Sequence, residues 1–364
     1  MCTVHRVNRN PIFLLLLRAP NSHPVSAQAS RAIAIWLLAC CAMLFAMVVV
    51  GGVTRLTHSG LSIVEWQPFI GAIPPLSDAD WMENFSKYRQ TPEFKLRNFN
   101  MNVDEFKGIF WWEYFHRLLG RLIGAVYLLP LIYFTVRGIV RGMLAWKLGG
   151  IFLLGGLQGA MGWYMVKSGL IDAPRVSHLR LTAHLGLAFI IFAAQWWVAL
   201  DLLFPRHARI AAPKFLVRAS KLVVALVFVM VLSGGLVAGL RAGLAYNTFP
   251  LMQGHLVPPD MLILEPWYAN VIGNMVTVQF DHRLIAWLLV ILIPWLWWCV
   301  QRTPVARSAR IASHLALGAL ALQFSLGVAT LLLAVPVALG AAHQGGALIL
   351  FSTVLLLAHE LSPE

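Results

Sequence analysis

The chain has 364 residues, of which 59% are hydrophobic and only 12% are charged. Since a soluble domain carries roughly a quarter charged residues, this composition excludes a water-soluble globule, and the high apolar content excludes a disordered chain. The formal net charge of +13 does not indicate a nucleic-acid-binding protein, because most of the basic excess lies in short loops on one side of a membrane. We therefore predict a polytopic membrane protein that contacts lipid and binds no nucleic acid.

Eight apolar runs are long enough to cross the hydrocarbon layer, which takes about 20 residues each. The runs are apolar on every side, which is typical of membrane-spanning helices and not of strands or amphipathic surface helices. We predict helices at residues 33–53, 109–136, 148–166, 181–204, 222–240, 276–300, 311–334 and 342–361.

The N-terminal segment and the loops after the second, fourth and sixth predicted helices contain basic residues and no acids. Because cytoplasmic loops carry the excess of Lys and Arg, both termini are predicted to face the cytoplasm of a bacterium, with the protein in its inner membrane. The alternative is the mitochondrial inner membrane, since the acid-free N-terminal segment contains arginines as a presequence does. The residues that set the orientation are Arg6, Arg9, Arg18, Arg31, Arg137, Arg141, Lys147, Arg206, Arg209, Lys214, Arg218, Lys221, Arg302, Arg307 and Arg310.

The two halves of the sequence resemble each other, four predicted helices in each. The matched segments are Gly51-Gly52 with Gly234-Gly235, His116-Arg117 with His282-Arg283, Leu157-Gln158 with Leu322-Gln323, and His184 with His343. An even number of helices per half gives both halves the same orientation, so we predict two tandem four-helix bundles related by a pseudo-two-fold axis along the membrane normal. The predicted organisation is a cytoplasmic tail at 1–32, a first bundle at 33–205 with a large outer loop at 54–108, a basic cytoplasmic linker at 206–221, and a second bundle at 222–364. The aromatic outer loop is expected to fold over the outer face of the helices.

Four of the twelve histidines lie near the outer ends of the even-numbered predicted helices, in one layer: His116, His184, His282 and His343. Ionisable residues inside a membrane are costly and usually functional, whereas His314 and His359, near cytoplasmic helix ends, need only reach the interface. Two histidines on facing helices are the arrangement for axial ligation of a haem iron, one pair in each half. Zinc needs further ligands, which neither half offers. The alternative for each residue is a hydrogen-bonded core histidine.

Charged residues beside these histidines distinguish the two halves. Glu113 precedes His116 by one helical turn, whereas the matching position in the second half is Gln279. This difference indicates one reacting site and one electron-transfer site, and the alternative is that Glu113 pairs with Arg117 or with the outer loop. Arginines at the outer helix ends are candidates for binding haem propionates, with anchoring at the interface as the alternative: Arg55, Arg117, Arg121, Arg180, Arg241 and Arg283.

Taken together, these residues resemble the haem A synthase family from residue 51 to the last helix. The most specific segments are GGVTRLT at 51–57, SGLS at 59–62, EYFHRLLGR at 113–121, HLRLTAHL at 178–185 and FDHR at 280–283. The resemblance implies an oxidoreductase that converts a methyl substituent of haem O to a formyl group, giving haem A for cytochrome oxidase. It implies that a substrate haem binds between His116 and His184, that a stable haem b binds between His282 and His343, and that Glu113 is the essential glutamate of the family.

Some members of the family carry a cysteine pair in the first outer loop, which this chain lacks. Its cysteines, Cys2, Cys40, Cys41 and Cys299, are interpreted as small packing residues, which favours the proteobacterial and mitochondrial branch of the family. The implied partners are haem O, a haem O synthase, cytochrome oxidase assembly factors and membrane lipid, and a homo-oligomer is a further candidate.

The reaction can follow two routes, because bis-histidine iron has no open coordination position. Either one histidine of the first half dissociates, or electrons are withdrawn and water attacks with Glu113 as general base. The main alternative function is a di-haem electron carrier resembling cytochrome b, although such carriers usually place haems at both membrane faces. A second alternative is a transporter with histidine proton relays.

Overall fold

The computed structural model describes residues 26–66, 70–171, 174–204 and 211–362. Within these ranges the chain forms eight long α-helices joined by loops, short helical turns and one isolated β-bridge. Arg6, Arg9, Arg18, Arg206 and Arg209, together with most of the predicted tail, lie outside the described residues. The long helices are α1 Ala27–Leu56, α2 Val103–Val136, α3 Gly142–Ile171, α4 His178–Leu203, α5 Lys214–Leu240, α6 Met275–Arg302, α7 Arg307–Leu332 and α8 Val337–Leu361.

Each predicted apolar run lies on one of these helices, and most helices begin earlier than hydropathy alone predicts. In α2 the cause is a capping box: Asn102 accepts hydrogen bonds from the backbone of Asp104 and Glu105, and the Glu105 side chain accepts one from Asn102 N at 2.9 Å. Polar residues thus extend the helix by a turn and a half beyond its apolar run. Such extensions carry the N-terminal ends of the histidine-bearing helices beyond the ends of their predicted apolar runs.

The all-helical membrane fold predicted from composition is confirmed. In the described part of the chain, seven of the helices are long and apolar enough to cross a membrane, and α3 is not among them. Lys147, Gln158 and Lys167, together with many glycines, lower the hydropathy of α3. The count of eight spans and the symmetry axis stay predictions.

The helices pack as two rings that share a central seam. In the first half α1 packs on α2, α2 on α3, α3 on α4 and α4 on α1, and α5 to α8 repeat this order. Between the halves α4 packs on α5, and α8 packs on both α1 and α4. Fully buried apolar residues lie mainly at the ends of the helices far from the predicted haem ligands, including Ile33, Leu37, Cys40, Leu148, Leu216 and Val300.

Small residues let the helices approach along the seam. A Cβ atom built on Gly52 of α1 would lie 2.7 Å from Oε1 of Gln344 in α8, and one on Gly235 of α5 would lie 3.0 Å from Oγ1 of Thr182 in α4. Since lipid provides no hydrophobic driving force, close packing at small residues is the usual source of helix association in membranes. The second glycine of each Gly-Gly pair therefore joins the two halves.

The first outer loop folds onto the outer end of α2, as the sequence predicts. It contains two short helices, Asp78–Tyr88 and Pro92–Leu96, capped by Ser77 and Thr91. Their aromatic side chains form a buried cluster with residues of α2: Phe85, Tyr88, Phe94, Phe106, Phe110 and Tyr114. This cluster fixes the loop above the first-half histidines.

Candidate haem-binding site

All four predicted histidines lie against a glycine of the preceding helix. A Cβ atom built on each glycine would approach the imidazole to 3.2 Å (Gly51 and His116), 3.1 Å (Gly162 and His184), 3.3 Å (Gly234 and His282) and 2.8 Å (Gly327 and His343). Side chains at these positions would displace the rings, so glycine lets each imidazole rest on helix backbone. The sequence reasoning singled out Gly51 and Gly234 and missed the other two, which follow Gln158 and Gln323 by four residues in both halves.

The histidines form one pair in each half. His116 and His184 lie on α2 and α4 of the first ring of helices, and His282 and His343 lie on α6 and α8 of the second. All four residues are partly exposed, although they lie within the helix bundle. Nδ1 of His184 and Nδ1 of His343 are buried without a hydrogen-bond partner among the described residues.

This set of donors fits haem. In the described ranges, no group of three or more His, Cys, Asp or Glu residues could hold a metal ion. Two imidazoles per half, with accessible rings and unpartnered nitrogens, match the two axial positions of a porphyrin iron, whereas zinc needs three or four protein ligands. The residues therefore suit one haem in each half.

The imidazoles differ in their hydrogen-bond partners. Ser233 Oγ lies 2.6 Å from Nδ1 of His282. Gln158 Nε2 lies 3.4 Å from Nε2 of His184 and donates to the backbone oxygen of the same residue at 3.1 Å. Neither ring nitrogen of His116 has a hydrogen-bond partner among the described residues. Serine at 233 was not identified from the sequence, where it is an ordinary small residue before a Gly-Gly pair.

Glu113 is buried, with 2% of its surface exposed, and accepts hydrogen bonds on both carboxylate oxygens. Oε2 accepts from Ser62 Oγ at 2.7 Å and from Ile63 N at 2.9 Å, and Oε1 accepts from Arg117 Nη2 at 2.7 Å and Nε at 3.1 Å. This is the alternative that the sequence left open, an ion pair with Arg117 combined with contacts to the outer loop. Its counterpart Gln279 donates to the Tyr246 carbonyl at 3.1 Å.

Two of the candidate arginines hold the outer loops. Arg117 donates to the carbonyl oxygens of Ile63 at 2.8 Å and Glu65 at 3.1 Å. Arg283 donates to those of Tyr246 at 2.8 Å and Thr248 at 2.9 Å. These loop contacts are a structural role that the propionate hypothesis did not foresee, although Nε of Arg283 is buried without a partner among the described residues.

Arg55 and Arg241 lie between the halves at the outer end. Arg55 donates to the Ala238 carbonyl at 3.0 Å, and Arg241 Nη2 lies 3.0 Å from Nδ1 of His58. Desolvation and the positive charges of Arg241 and Arg55 lower the pKa of His58 to about 4, so its neutral ring can accept this bond. Nε of both arginines is buried without a partner among the described residues, which leaves donors for an anionic group.

The other two candidate arginines, Arg180 and Arg121, lie on helices of the first half. Arg180 donates to the Tyr164 carbonyl at 2.8 Å and covers the ring of that tyrosine at 3.7 Å. It therefore links α4 to α3. Arg121 lies on α2, one turn beyond Arg117.

His359 is a correction to the sequence analysis, which expected it at the membrane interface. It is fully buried, with Nε2 at 3.1 Å from Asp201 Oδ1 and Nδ1 at 3.8 Å from Glu360 Oε1. The ring also meets Trp197 edge-on at 5.1 Å. The nearby carboxylates stabilise the buried imidazole. In the sequence, the presence of Asp201 inside an apolar run was the sign that a buried polar partner was needed. His314 is exposed, as expected.

Comparison with known proteins gives one consistent family. Residues 34–355 match the model of the cytochrome oxidase assembly protein family, COX15-CtaA. A protein named haem A synthase from Nitrosospira multiformis is 62% identical over 333 residues, which are 91% of this chain and 94% of the relative. Proteins of the same name from Nitrosomonas eutropha and Rhodospirillum centenum are 58% and 49% identical, over 91% and 93% of this chain and 94% and 90% of their own lengths.

Proposed function

Because the chain belongs to the haem A synthase family of cytochrome oxidase assembly proteins, we propose that it oxidises a methyl substituent of haem O to a formyl group, giving haem A. The observation that carries this proposal is the duplicated histidine pair, in which every imidazole rests on a glycine of the preceding helix. Two imidazoles could hold a porphyrin iron between them, and a four-helix ring offers such a slot in each half. The protein then supplies position and charge, and the porphyrin supplies the reacting carbon.

The two histidine pairs have different roles in this proposal. His116 and His184 hold the substrate haem O, and His282 and His343 hold a resident haem b, whose chemistry when bound is one-electron transfer. The support for this division is the difference beside the first pair, where Glu113 and Arg117 form a buried ion pair that Gln279 and Arg283 do not reproduce. Nε atoms that are buried without a partner among the described residues favour Arg55, Arg241 and Arg283 for propionate binding.

Glu113 is the catalytic residue of the proposal. Four donors hold its carboxylate in place one turn before His116. A fixed negative charge there stabilises positive charge that develops on the substrate, and release of Ser62 or Arg117 lets it accept a proton as general base.

The cellular setting follows from the same family membership. We propose the inner membrane of a bacterium, with both termini in the cytoplasm, because the basic loops lie on that side and the relatives are bacterial. The partners are haem O, the haem O synthase that supplies it and the assembly factors of cytochrome oxidase that receive haem A. Self-association is a further part of this proposal.

Pigment analysis tests the function. The chain is expressed with a haem O synthase in cells that make no haem A, and the haems of the membranes are extracted and separated. We expect haem A to form only when both proteins are present. Membranes that contain haem b and haem O but no haem A would instead favour the di-haem electron carrier.

A further inference from the structure

The two halves place different residues behind equivalent histidines. Gly234 contacts His282 and Gly51 contacts His116, so the structure itself aligns the two glycines. The residue before Gly234 is Ser233, and the residue before Gly51 is Val50. Ser233 Oγ lies 2.6 Å from Nδ1 of His282, whereas valine has no group that could make this bond to His116.

The hydrogen bond has consequences for an iron ligand. When Nδ1–H of an imidazole donates to an oxygen, the tautomer is fixed, Nε2 keeps its lone pair for the metal, and the ring becomes a more basic ligand. An imidazole without such a partner is free to turn about its side-chain torsions and binds iron more weakly. Among the described residues this second condition applies to His116 and also to His184 and His343, whose Nδ1 atoms are buried without a partner, so His282 alone of the four has a hydrogen-bonded Nδ1.

We propose that Ser233 is a positioning residue that fixes the His282 ring as a haem ligand. The proposal rests on the proposed function, in which His282 binds haem. It deepens that function because it gives the second half one ligand whose orientation and basicity are set by a hydrogen bond, which the matched His116 of the first half does not have.

Variants of Ser233 test its role at His282 in purified protein that holds haem b. S233A removes the hydroxyl, and S233T restores one on a side chain that still fits a helix. We expect S233A to raise the midpoint potential of the haem, because a less basic imidazole stabilises ferric iron less well. We also expect haem affinity to fall ~10–100-fold and the reduced protein to bind carbon monoxide. S233T should return all three properties toward the wild type.

The outcomes separate this proposal from the proposed function. Haem b that survives both H282A and H343A would refute the site itself. Haem b that is lost from those variants but has the same potential and the same carbon monoxide exclusion in wild type, S233A and S233T would refute only the role of Ser233.

Discussion

Glu113 and Gln279 occupy matched positions one turn before a histidine, and their surroundings explain why only one of them carries charge. The Glu113 carboxylate and the Arg117 guanidinium are 3% and 16% exposed, so each compensates the other in a poorly solvated place. Gln279 instead bonds to a loop carbonyl, and Arg283 bonds to two. A buried ion pair therefore lies one turn before His116, whereas the matched position one turn before His282 carries an amide.

We expect E113Q to uncouple chemistry from folding. Glutamine keeps the shape of the side chain and one acceptor oxygen, and Arg117 keeps its bonds to Ile63 and Glu65, so the haem b content should stay near that of the wild type. The haem A yield should fall ~10²-fold, as for loss of a general base. The measurement is the ratio of haem O to haem A at matched protein level.

E93Q is the matched control for that experiment, because Glu93 is another buried carboxylate, 5% exposed, on the first outer loop. Its partner is Tyr88, and no histidine of the site contacts it. The haem A yield of E93Q should equal that of the wild type. An unchanged haem A yield in E113Q would make Glu113 a structural residue.

At the scale of single residues, the sequence was sufficient to identify polar or ionisable residues that are unusual inside an apolar membrane helix. Histidines in an apolar helix and a lone glutamate stand out from their neighbours, because burying them is costly. Ser233 could not be found in this way, since serine is common in membrane helices and its role depends on the orientation of an imidazole 49 positions away. His359 was placed wrongly because its partner Asp201 lies on a helix that is distant in sequence.

Glycines of the odd-numbered helices show how an element supports the site. On α7, a Cβ atom at Gly327 would lie 2.8 Å from Cε1 of His343, whereas one at Gly318 would meet no atom within 4 Å. Gly327 therefore has the His343 imidazole packed against it and Gly318 has no such neighbour, although both glycines lie on α7.

We expect G327A to lower haem b affinity ~10-fold or more, because the methyl group pushes the imidazole from its place. G318A should leave haem binding unchanged, since alanine favours a helix over glycine by up to ~1 kcal/mol. Haem retention during gel filtration and the absorption spectrum measure both. Equal retention in the two variants would contradict a supporting role for Gly327.

The helical cap of the first outer loop should make stability depend on pH. Burial of Glu93 raises its pKa from an ordinary value of 4.5 to about 7, so between these values the folded protein holds more protons than the unfolded chain. Stability should then fall as pH rises through this window, by on the order of 3 kcal/mol at most.

E93Q tests this expectation because its side chain is neutral at every pH. Unfolding in detergent, followed by tryptophan fluorescence at pH 5 and pH 8, should show a smaller difference for E93Q than for the wild type. If both proteins lose the same stability between these pH values, Glu93 does not cause the dependence.

At the scale of the whole molecule, composition and periodicity were sufficient for the fold class and for the position of every long helix. Lipid requires each span to satisfy its own backbone, so helices can be located from hydropathy alone. The packing order could not be obtained in that way, because it depends on glycines such as Gly52 and Gly235 whose partners lie on other helices. The repeat was visible in sequence only where it carries glycine, histidine or glutamine.

The proposed assignment of one haem site to each half leads to a prediction about which histidine affects which pigment. Both rings of one pair are needed for a bis-histidine iron, and the pairs lie in separate four-helix rings. H282A and H343A should therefore each lose haem b. H116A and H184A should retain haem b with a normal spectrum and should accumulate haem O without haem A.

The control is H314A, since His314 is exposed at the opposite end of α7 and contacts Trp297 at 3.0 Å. Protein level, haem b spectrum and haem A yield should all match the wild type in this variant. The informative comparison is between the halves at equal protein level, because a folding defect would reduce both pigments in any of the four site variants. Loss of haem b from H116A or H184A in well-folded protein would mean that the resident haem lies in the first half. The roles assigned to the two halves would then be reversed.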